Sequence, residues 1–291
     1  MICNLCPRKC SAERNENIGY GYCKMPLLPK VARAALHMWE EPCISGKSGS
    51  GTVFFSGCSL GCVYCQNKEI SHDNIGRTIS VSRLAEIFSE LEEKGAENIN
   101  LVNPTHYCLA IRDAFRIYKP KIPVVYNSGG YESEMTMEIS AEFTDIYLLD
   151  LKYLKPQKSL KYSGAQDYPE LAKKAIMRAA EIIKQNEFND KGIMTRGLIV
   201  RHLVLPYNVA EAKRVVEFLE NNIPWAALSL MSQYTPCGDL SDYPEINRRL
   251  TTSEHRKVLS LAAGSRLETV YCQQLDSGSK EFIPNFDGTG V

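Results

Sequence analysis

Short apolar runs alternate along this chain with longer segments whose apolar residues recur every three to four positions. The short runs predict buried strands at residues 52–55, 98–103, 122–127, 145–151, 197–205 and 226–231. The helical period predicts helices at residues 81–94, 107–118, 134–143, 169–185 and 209–221. Regular alternation of strand and helix indicates parallel strands joined by helical crossovers.

The pattern is weaker at both ends. Residues 31–36 fit a short strand or a short helix, and a glycine and serine run follows. Residues 252–261 predict a last helix, 268–273 a short strand, and the rest from 276 a glycine-rich tail. We therefore expect three parts: an N-terminal extension and linker over 1–50, a strand–helix domain over 51–240, and a helix and tail over 241–291 that close it.

Composition excludes several classes of function. The 44% hydrophobic and 23% charged residues are typical of a soluble globular protein. Lys plus Arg equals Asp plus Glu at 34 each, so no electrostatic footprint for nucleic acid or an anionic membrane is expected. No apolar run reaches the length of a membrane span. Most of the 11 cysteines lie in the first 65 residues at metal-ligand spacings, which favours a reducing cytoplasm.

The densest chemistry follows the first predicted strand. Cys58, Cys62 and Cys65 place three thiols on one loop at Cys-x3-Cys-x2-Cys spacing. Gly57 and Gly61 suit a backbone that folds tightly around an inorganic core. Iron–sulfur clusters are held by cysteine thiolates, and four are the full complement. Three ligands on one loop would leave one iron open to a ligand that is not protein.

With Tyr64 directly before the third cysteine, this loop closely resembles the radical S-adenosylmethionine (SAM) motif, Cys-x3-Cys-x-aromatic-Cys. The resemblance implies an α/β fold, a partial (β/α)6 TIM-like barrel, with a [4Fe–4S] cluster on the three cysteines and SAM on the open iron. It also implies reductive cleavage of SAM to a 5′-deoxyadenosyl radical that abstracts hydrogen. Tyr64 is then expected near the adenine, and flavodoxin or ferredoxin is expected to supply the electron.

A second cysteine group opens the chain and predicts a cysteine-rich metal-binding extension. Cys3, Cys6, Cys10 and Cys23 are spaced Cys-x2-Cys-x3-Cys-x12-Cys. Structural zinc prefers separated pairs of ligands. Three close cysteines and one remote one are more familiar in four-iron clusters, as is the Cys6–Pro7 pair. The sequence leaves both a second [4Fe–4S] cluster and zinc open.

Active sites of such barrels lie at the C-terminal ends of the strands. The polar residues just past the second to fifth strands are therefore site candidates: Asn103, Thr105, Asn127, Ser128, Asp150, Lys152, Arg201 and His202. Radical SAM enzymes usually carry a Gly-Gly-Glu segment for the SAM amino group after the second strand. This chain departs from that pattern, so Asn103 and Thr105 are candidates for the role. Alternatively, such residues only satisfy loop backbone, or Lys152 and Arg201 form an ion pair with Asp150 or Glu132.

Two strand ends narrow the resemblance. Residues 149–152 and 199–206 are similar to the pyruvate formate-lyase activating enzymes, and the whole chain resembles the uncharacterised branch homologous to them. That similarity implies a glycyl radical enzyme as partner. Modification of a peptide or small metabolite is the alternative within the enzyme class, and a non-catalytic iron–sulfur or zinc redox or scaffold protein is the alternative outside it. The sequence assigns no role to Cys43, Cys108, Cys237 or Cys272.

Overall fold

The structure, a computed structural model, describes residues 2–273 and 284–291. The strands are β1 (Ile2–Cys3), β2 (Ala12–Glu13), β3 (Lys30–His37), β4 (Ser50–Phe55), β5 (Arg77–Thr78), β6 (Ile99–Val102), β7 (Val124–Ser128), β8 (Ile146–Asp150), β9 (Glu187–Phe188), β10 (Met194–Leu203), β11 (Ala227–Met231) and β12 (Val270–Cys272). The helices are α1 (Pro42–Ser45), α2 (Lys68–Ser71), α3 (Val81–Glu93), α4 (Cys108–Ile117), α5 (Glu134–Ser140), α6 (Pro156–Ser163), α7 (Tyr168–Ile183), α8 (Val209–Asn222) and α9 (Thr252–Ala263).

All six predicted strands of the central domain are confirmed, as β4, β6, β7, β8, β10 and β11. They lie in one sheet in the order β12-β11-β10-β8-β7-β6-β4-β3-β5, with β9 beside β10. From β4 to β12 this order pairs neighbours in parallel. Helices connect these strands, as the alternating pattern predicted, so the fold is a partial TIM-like barrel.

The uncertain segment at 31–36 is a strand. β3 runs antiparallel to β4 and covers its outer edge, with His37 opposite Ser50 at the N-terminal end of β4. The residues between β3 and β4 therefore cross the end of the barrel opposite the cysteine loop. There Cys43 and Ile44 pack inside against Ile146 and Ile199. This short crossing segment fills the lower part of the barrel interior.

The described part of the tail lies along the same edge. The Ala34 N–H donates to the Thr289 carbonyl at 2.8 Å, and the Gly288 N–H donates to Ala32 at 3.0 Å. Phe286 packs edge-on to Phe54 with ring centroids 5.4 Å apart. Residues 284–291 thus cover β3 and β4, whereas residue 273 follows β12 at the opposite edge of the sheet. Within the described residues, no helix is long and apolar enough to cross a membrane.

Candidate active site

The three barrel cysteines lie on the loop that follows β4. Gly57 and Gly61 in this loop have φ of 83° and 61°, a left-handed backbone that glycine adopts without strain. A Cβ on Gly57 would lie 2.2 Å from Cγ of Met25, which leaves no room for any side chain. The loop conformation is therefore fixed by glycine and by close contact with the N-terminal segment.

Each of the three sulfur atoms accepts a hydrogen bond. Cys58 Sγ accepts from the Leu60 N–H at 3.3 Å, Cys62 Sγ from the Ser163 hydroxyl at 3.0 Å, and Cys65 Sγ from the Ser71 hydroxyl at 3.3 Å. Such bonds stabilise negative charge on sulfur and are one of the factors that set cluster potentials. The donor set fits thiolate ligands of an iron–sulfur cluster.

Burial disfavours the thiolate form of Cys62 and Cys65 in the absence of metal. It raises the pKa of Cys65 to about 12 and also raises the pKa of Cys62. Bound iron would supply the positive charge that offsets this penalty. Among residues 2–273 and 284–291, no three His, Cys, Asp or Glu side chains converge at the spacing of a single metal ion.

A chain of hydroxyl groups leads from Tyr64 back to the cysteine loop. Tyr64 and Tyr153 share a hydrogen bond of 2.6 Å, and Tyr153 bonds to Ser163 at 2.9 Å. Ser163 in turn donates to Cys62. Tyr64 is buried, edge-on to Tyr162 and Tyr234. Its ring therefore supports the loop from inside; the expected adenine contact stays a prediction.

Four of the predicted strand-end residues meet inside the barrel. Arg201 donates from Nε to Asp150 Oδ1 at 2.9 Å and from Nη2 to Asn127 Oδ1 at 2.5 Å. Lys152 pairs with the other oxygen of Asp150. The fifth member of this polar ring is Glu40, which accepts from Arg201 at 3.2 Å and from Asn127 at 3.2 Å. The ring faces the cysteine loop through Lys152, whose charge acts on Cys62.

The charges of this ring are mutually stabilised. Burial alone would raise the pKa of Asp150, but Lys152 and Arg201 outweigh it and hold that pKa below its ordinary value. Burial would likewise lower the pKa of Lys152, and the Asp150 carboxylate reverses the shift. At neutral pH Asp150 is therefore a carboxylate, and Lys152 and Arg201 are cations. Such a ring can bind the amino and carboxylate groups of an amino acid.

Sequence reasoning missed Glu40 and two further polar residues of this interior. Glu41 and Asn100 are buried, and Glu41 Oε2 and Asn100 Oδ1 have no hydrogen-bond partner among the described residues. Burial raises the pKa of Glu41. The acidic pair before Pro42 was a visible signal, but only the crossing segment beneath the barrel brings it inside. Two open acceptors at this depth suit a hydrogen-bond donor on a ligand.

The second strand end is tied to the framework. Asn103, with φ of 61°, donates from its side chain to the Gly57 carbonyl. Thr105 donates to Glu132 Oε1 at 2.6 Å, and Glu132 also accepts from Tyr126 at 3.0 Å. These contacts position the cysteine loop and the neighbouring strand. A role of Asn103 or Thr105 at the SAM amino group stays a prediction.

Ser128 and His202 lie apart from the polar ring. Side chains alternate along a strand, so each faces opposite to its ring neighbour, Asn127 or Arg201. Ser128 Oγ accepts from the Gly130 N–H at 3.2 Å. His202 Nδ1 bonds to the Leu151 carbonyl at 2.7 Å, and burial lowers its pKa. Both residues order the loops around the ring, and their predicted contact with a cofactor stays untested.

The N-terminal cysteines sit on a small hairpin beside the cysteine loop. β1 pairs with β2, and Cys3 Sγ accepts from Arg14 Nη1 at 3.4 Å. Burial raises the pKa of Cys6 to about 12 and also raises the pKa of Cys23. Cys10 is exposed. As in the barrel loop, bound metal would offset the cost of ionising the buried thiols.

Comparison with known proteins decides the family. The family model described as the radical SAM superfamily matches residues 52–219. The chain belongs to the radical SAM superfamily. An uncharacterized protein of Methanocaldococcus jannaschii is 29% identical over 279 residues, which cover 92% of this chain and 76% of the relative.

Two solved structures set the scale of the structural likeness. Streptococcus suis SuiB bound to SAM matches with a TM-score of 0.53 and 14% identity, over 77% of this chain and 50% of SuiB. The chain thus spans half the length of that neighbour. A domain of the pyruvate-formate lyase-activating enzyme from Bacteroides vulgatus matches with a TM-score of 0.39 and 13% identity, over 67% of this chain and 91% of the domain. The SuiB match supports the partial barrel.

Membership of the superfamily identifies the chain as an enzyme that uses SAM and a [4Fe–4S] cluster. The donor set above matches this requirement, with three thiols on one loop and a hydrogen bond to each sulfur. We call the cluster that Cys58, Cys62 and Cys65 would hold the SAM cluster.

Proposed function

We propose that the enzyme activates a glycyl radical enzyme, by abstracting a hydrogen atom from a backbone glycine of a partner protein. The observation that carries this proposal is the pairing of Asp150 with both Lys152 and Arg201. These residues come from the two strand ends whose sequences are similar to the activating enzymes. Their side chains meet in one ring that faces the SAM cluster loop.

The residues divide into ligands and binding groups. When bound and reduced, the cluster supplies the electron that cleaves SAM. Cys58, Cys62 and Cys65 would hold it. Arg201 and Lys152 would bind the carboxylate of SAM, and Glu40 would receive its amino group. The hydroxyls of Ser163 and Ser71 would stabilise negative charge on the sulfurs.

Chain segments that flank the cysteine loop support a second candidate, the modification of a peptide or small metabolite. Tyr22 donates to the Leu60 carbonyl at 3.2 Å on one side of the cysteine loop. On another side, Tyr162 donates to Glu245 at 2.7 Å. Segments from both ends of the chain thus surround the loop. A flexible peptide or a small molecule would enter such a site more readily than a folded domain.

Two further assignments complete the proposal. Flavodoxin or ferredoxin is the expected electron donor because cleavage of SAM consumes one electron per turnover. The N-terminal cysteines would hold a second metal unit, either a [4Fe–4S] cluster or zinc. Three cysteines within eight residues and one remote cysteine favour the cluster.

The test follows the hydrogen atom. Reduced enzyme and SAM are incubated with candidate glycyl radical enzymes that carry deuterated glycine, and 5′-deoxyadenosine is analysed by mass spectrometry. Deuterium in 5′-deoxyadenosine and a glycyl radical signal would support activation. Turnover with a peptide or small molecule, and no glycyl radical with any partner, would favour the second candidate. The Cys58→Ala variant is the matched control and should transfer none.

A further inference from the structure

Arg8 joins the N-terminal cysteine segment to the SAM cluster loop. It stands between Cys6 and Cys10 in the chain. Its guanidinium donates to four backbone carbonyls: Ser59 at 2.7 Å, Leu60 at 3.2 Å, Ser163 at 2.9 Å and Gly164 at 2.5 Å. This single side chain therefore links two segments that are about 100 residues apart in the chain. The hydrogen bond from Ser163 to Cys62 links the same two segments.

These carbonyls lie next to the cluster ligands. Ser59 and Leu60 are between Cys58 and Cys62 in the chain. The residue that offers the Ser163 carbonyl to Arg8 also offers its hydroxyl to Cys62 Sγ at 3.0 Å. A displacement of the guanidinium would therefore release the backbone that precedes Cys62 and move the hydroxyl bonded to its sulfur.

The guanidinium itself is firmly held. It lies 4.0 Å from the centre of the Tyr22 ring and 5.6 Å from that of Tyr131. Tyr22 precedes Cys23 and donates to Leu60, the same carbonyl that Arg8 contacts. Arg8 is two positions from both Cys6 and Cys10, and Tyr22 precedes Cys23. Both side chains thus contact one short stretch of the SAM cluster loop.

We propose that Arg8 is a positioning residue of the SAM cluster, held in place by the N-terminal metal site. Its fork of N–H groups fixes the loop around Cys62, and its permanent positive charge favours the reduced, more negative state of the cluster. Metal at Cys6 and Cys10 would fix the turn that carries Arg8. The N-terminal site thereby tunes the reactivity of the barrel site. This inference rests on the family and on no particular substrate.

The experiment compares Arg8→Gln with Lys9→Gln. Both variants remove one positive charge from the same turn, but Lys9 is exposed. The midpoint potential is measured by anaerobic redox titration of the paramagnetic signal that responds to SAM. We expect Arg8→Gln to lower the ratio of reduced to oxidised cluster about tenfold at fixed potential, a shift of about 59 mV to more negative values for one electron. Lys9→Gln should titrate like the parent enzyme.

Two further measurements separate positioning from charge. Hydrogen exchange should rise at residues 59–62 and 163–164 in Arg8→Gln and also in Arg8→Lys, because lysine lacks the planar fork. The potential should move less in Arg8→Lys, because the charge remains. Cys10→Ser should reproduce the Arg8→Gln shift while the SAM cluster keeps its iron. If Arg8→Gln fails to fold, the midpoint potentials and hydrogen exchange of Arg8→Lys and Cys10→Ser test the proposal instead.

Three results would overturn the proposal. The first is an unchanged potential and unchanged exchange in Arg8→Gln. The second is an equal shift of potential in Lys9→Gln, which would indicate unspecific charge. The third is a Cys10→Ser protein that lacks N-terminal metal and has the parental potential. None of these readouts requires a substrate, so failure here is distinct from failure of the proposed glycyl radical activity.

Discussion

The two cysteine groups offer the same thiol ligands, but they differ in the residues at their left-handed backbone positions. The barrel loop places glycine at its two left-handed positions, Gly57 and Gly61. The N-terminal segment places Lys9, Ser11 and Lys24 there, with φ of 42°, 47° and 59°. Left-handed conformations cost about 1–2 kcal/mol for residues with a Cβ. The barrel loop therefore adopts its left-handed turns without this cost, whereas the N-terminal segment must offset it through contacts with its surroundings.

Solvent access sets one N-terminal ligand apart, although Cys3 and Cys6 are buried like Cys62. Cys62 is buried and Cys65 is half-buried, with hydroxyl donors on both sulfurs, whereas Cys10 is exposed. Exposed sulfur is open to oxidants and to competing metals. The glycines and the hydroxyl donors fit the barrel loop to a cluster. An effect of the N-terminal site on that cluster stays a proposal.

The largest expected effect separates the two groups directly. Replacing Cys58, Cys62 or Cys65 with Ala should abolish the spectral change that SAM causes in anaerobically reconstituted protein. Each change removes one of the three thiolates available on the loop, and the open iron requires all three. Iron analysis should show loss of about four irons. Retention of SAM binding and cleavage in all three variants would contradict the assignment.

Changes to the N-terminal ligands should be milder. Replacing Cys3, Cys6, Cys10 or Cys23 with Ser should remove one metal unit, lower the melting temperature and leave the barrel iron in place. Metal analysis of the parent identifies the unit: about four irons plus one zinc, or about eight irons. If freshly isolated anaerobic protein contained no metal at the N-terminal cysteines, the predicted N-terminal metal site would be wrong.

A reciprocal pair tests the backbone argument. Gly57→Ala should destabilise the fold and the cluster because its Cβ would overlap Met25. Lys9→Gly should have the opposite sign and stabilise the N-terminal segment by about 1 kcal/mol, because glycine tolerates φ of 42°. Thermal unfolding and resistance of the N-terminal metal to chelators measure both. Equal losses of stability in Gly57→Ala and Lys9→Gly would contradict this difference between the two backbones.

A pH-dependent effect concerns His106, which contacts both regions. Its Nε2 bonds to the Ser56 carbonyl at 2.7 Å, and its own carbonyl accepts from Arg14 at 2.9 Å. Burial, aided by Arg14, lowers its pKa from 6.5 to about 3. The unfolded chain then binds the extra proton, so the stabilisation is fully present above pH 6.5 and declines as pH falls toward 3.

In that window the free energy of unfolding should decline by about 1.4 kcal/mol per pH unit from this group. Denaturant unfolding at pH 7.5 and 5.5 compares the parent with His106→Gln, whose side-chain amide can still donate to the Ser56 carbonyl but does not titrate. The variant should lose less stability between the two values. An identical loss would mean that His106 is protonated in the folded protein.

Local pattern was sufficient for much of this site. The spacing of Cys58, Cys62 and Cys65 and the polar strand ends are contiguous in sequence, and the parallel sheet brings Asp150 and Arg201 into register. The helix α6 was not predicted, although Pro156 at its start and Gly164 at its end, with φ of 57°, are ordinary helix signals.

Glu40 and Arg8 could not be predicted in the same way. Glu40 reaches the ring only because the segment between β3 and β4 crosses beneath the barrel. Arg8 reaches the cluster loop only because the N-terminal hairpin docks there. Both contacts join positions far apart in the chain, and the local period of apolar residues does not predict such contacts. The tail from 276 lies partly outside the described residues. Its described part, 284–291, covers β3 and β4, and closure of the barrel by the tail stays a prediction.

The contact between β3 and residues 284–291 also bears on biosynthesis. Arg33 and Asp287 form an ion pair across 254 residues of chain. At about 5–20 residues per second, a ribosome needs on the order of tens of seconds to pass from one to the other. Throughout that interval the cysteine loop already exists while its flanking edge is uncovered. We therefore expect the edge of β3 and β4 to stay open to other molecules until residues 284–291 have been made.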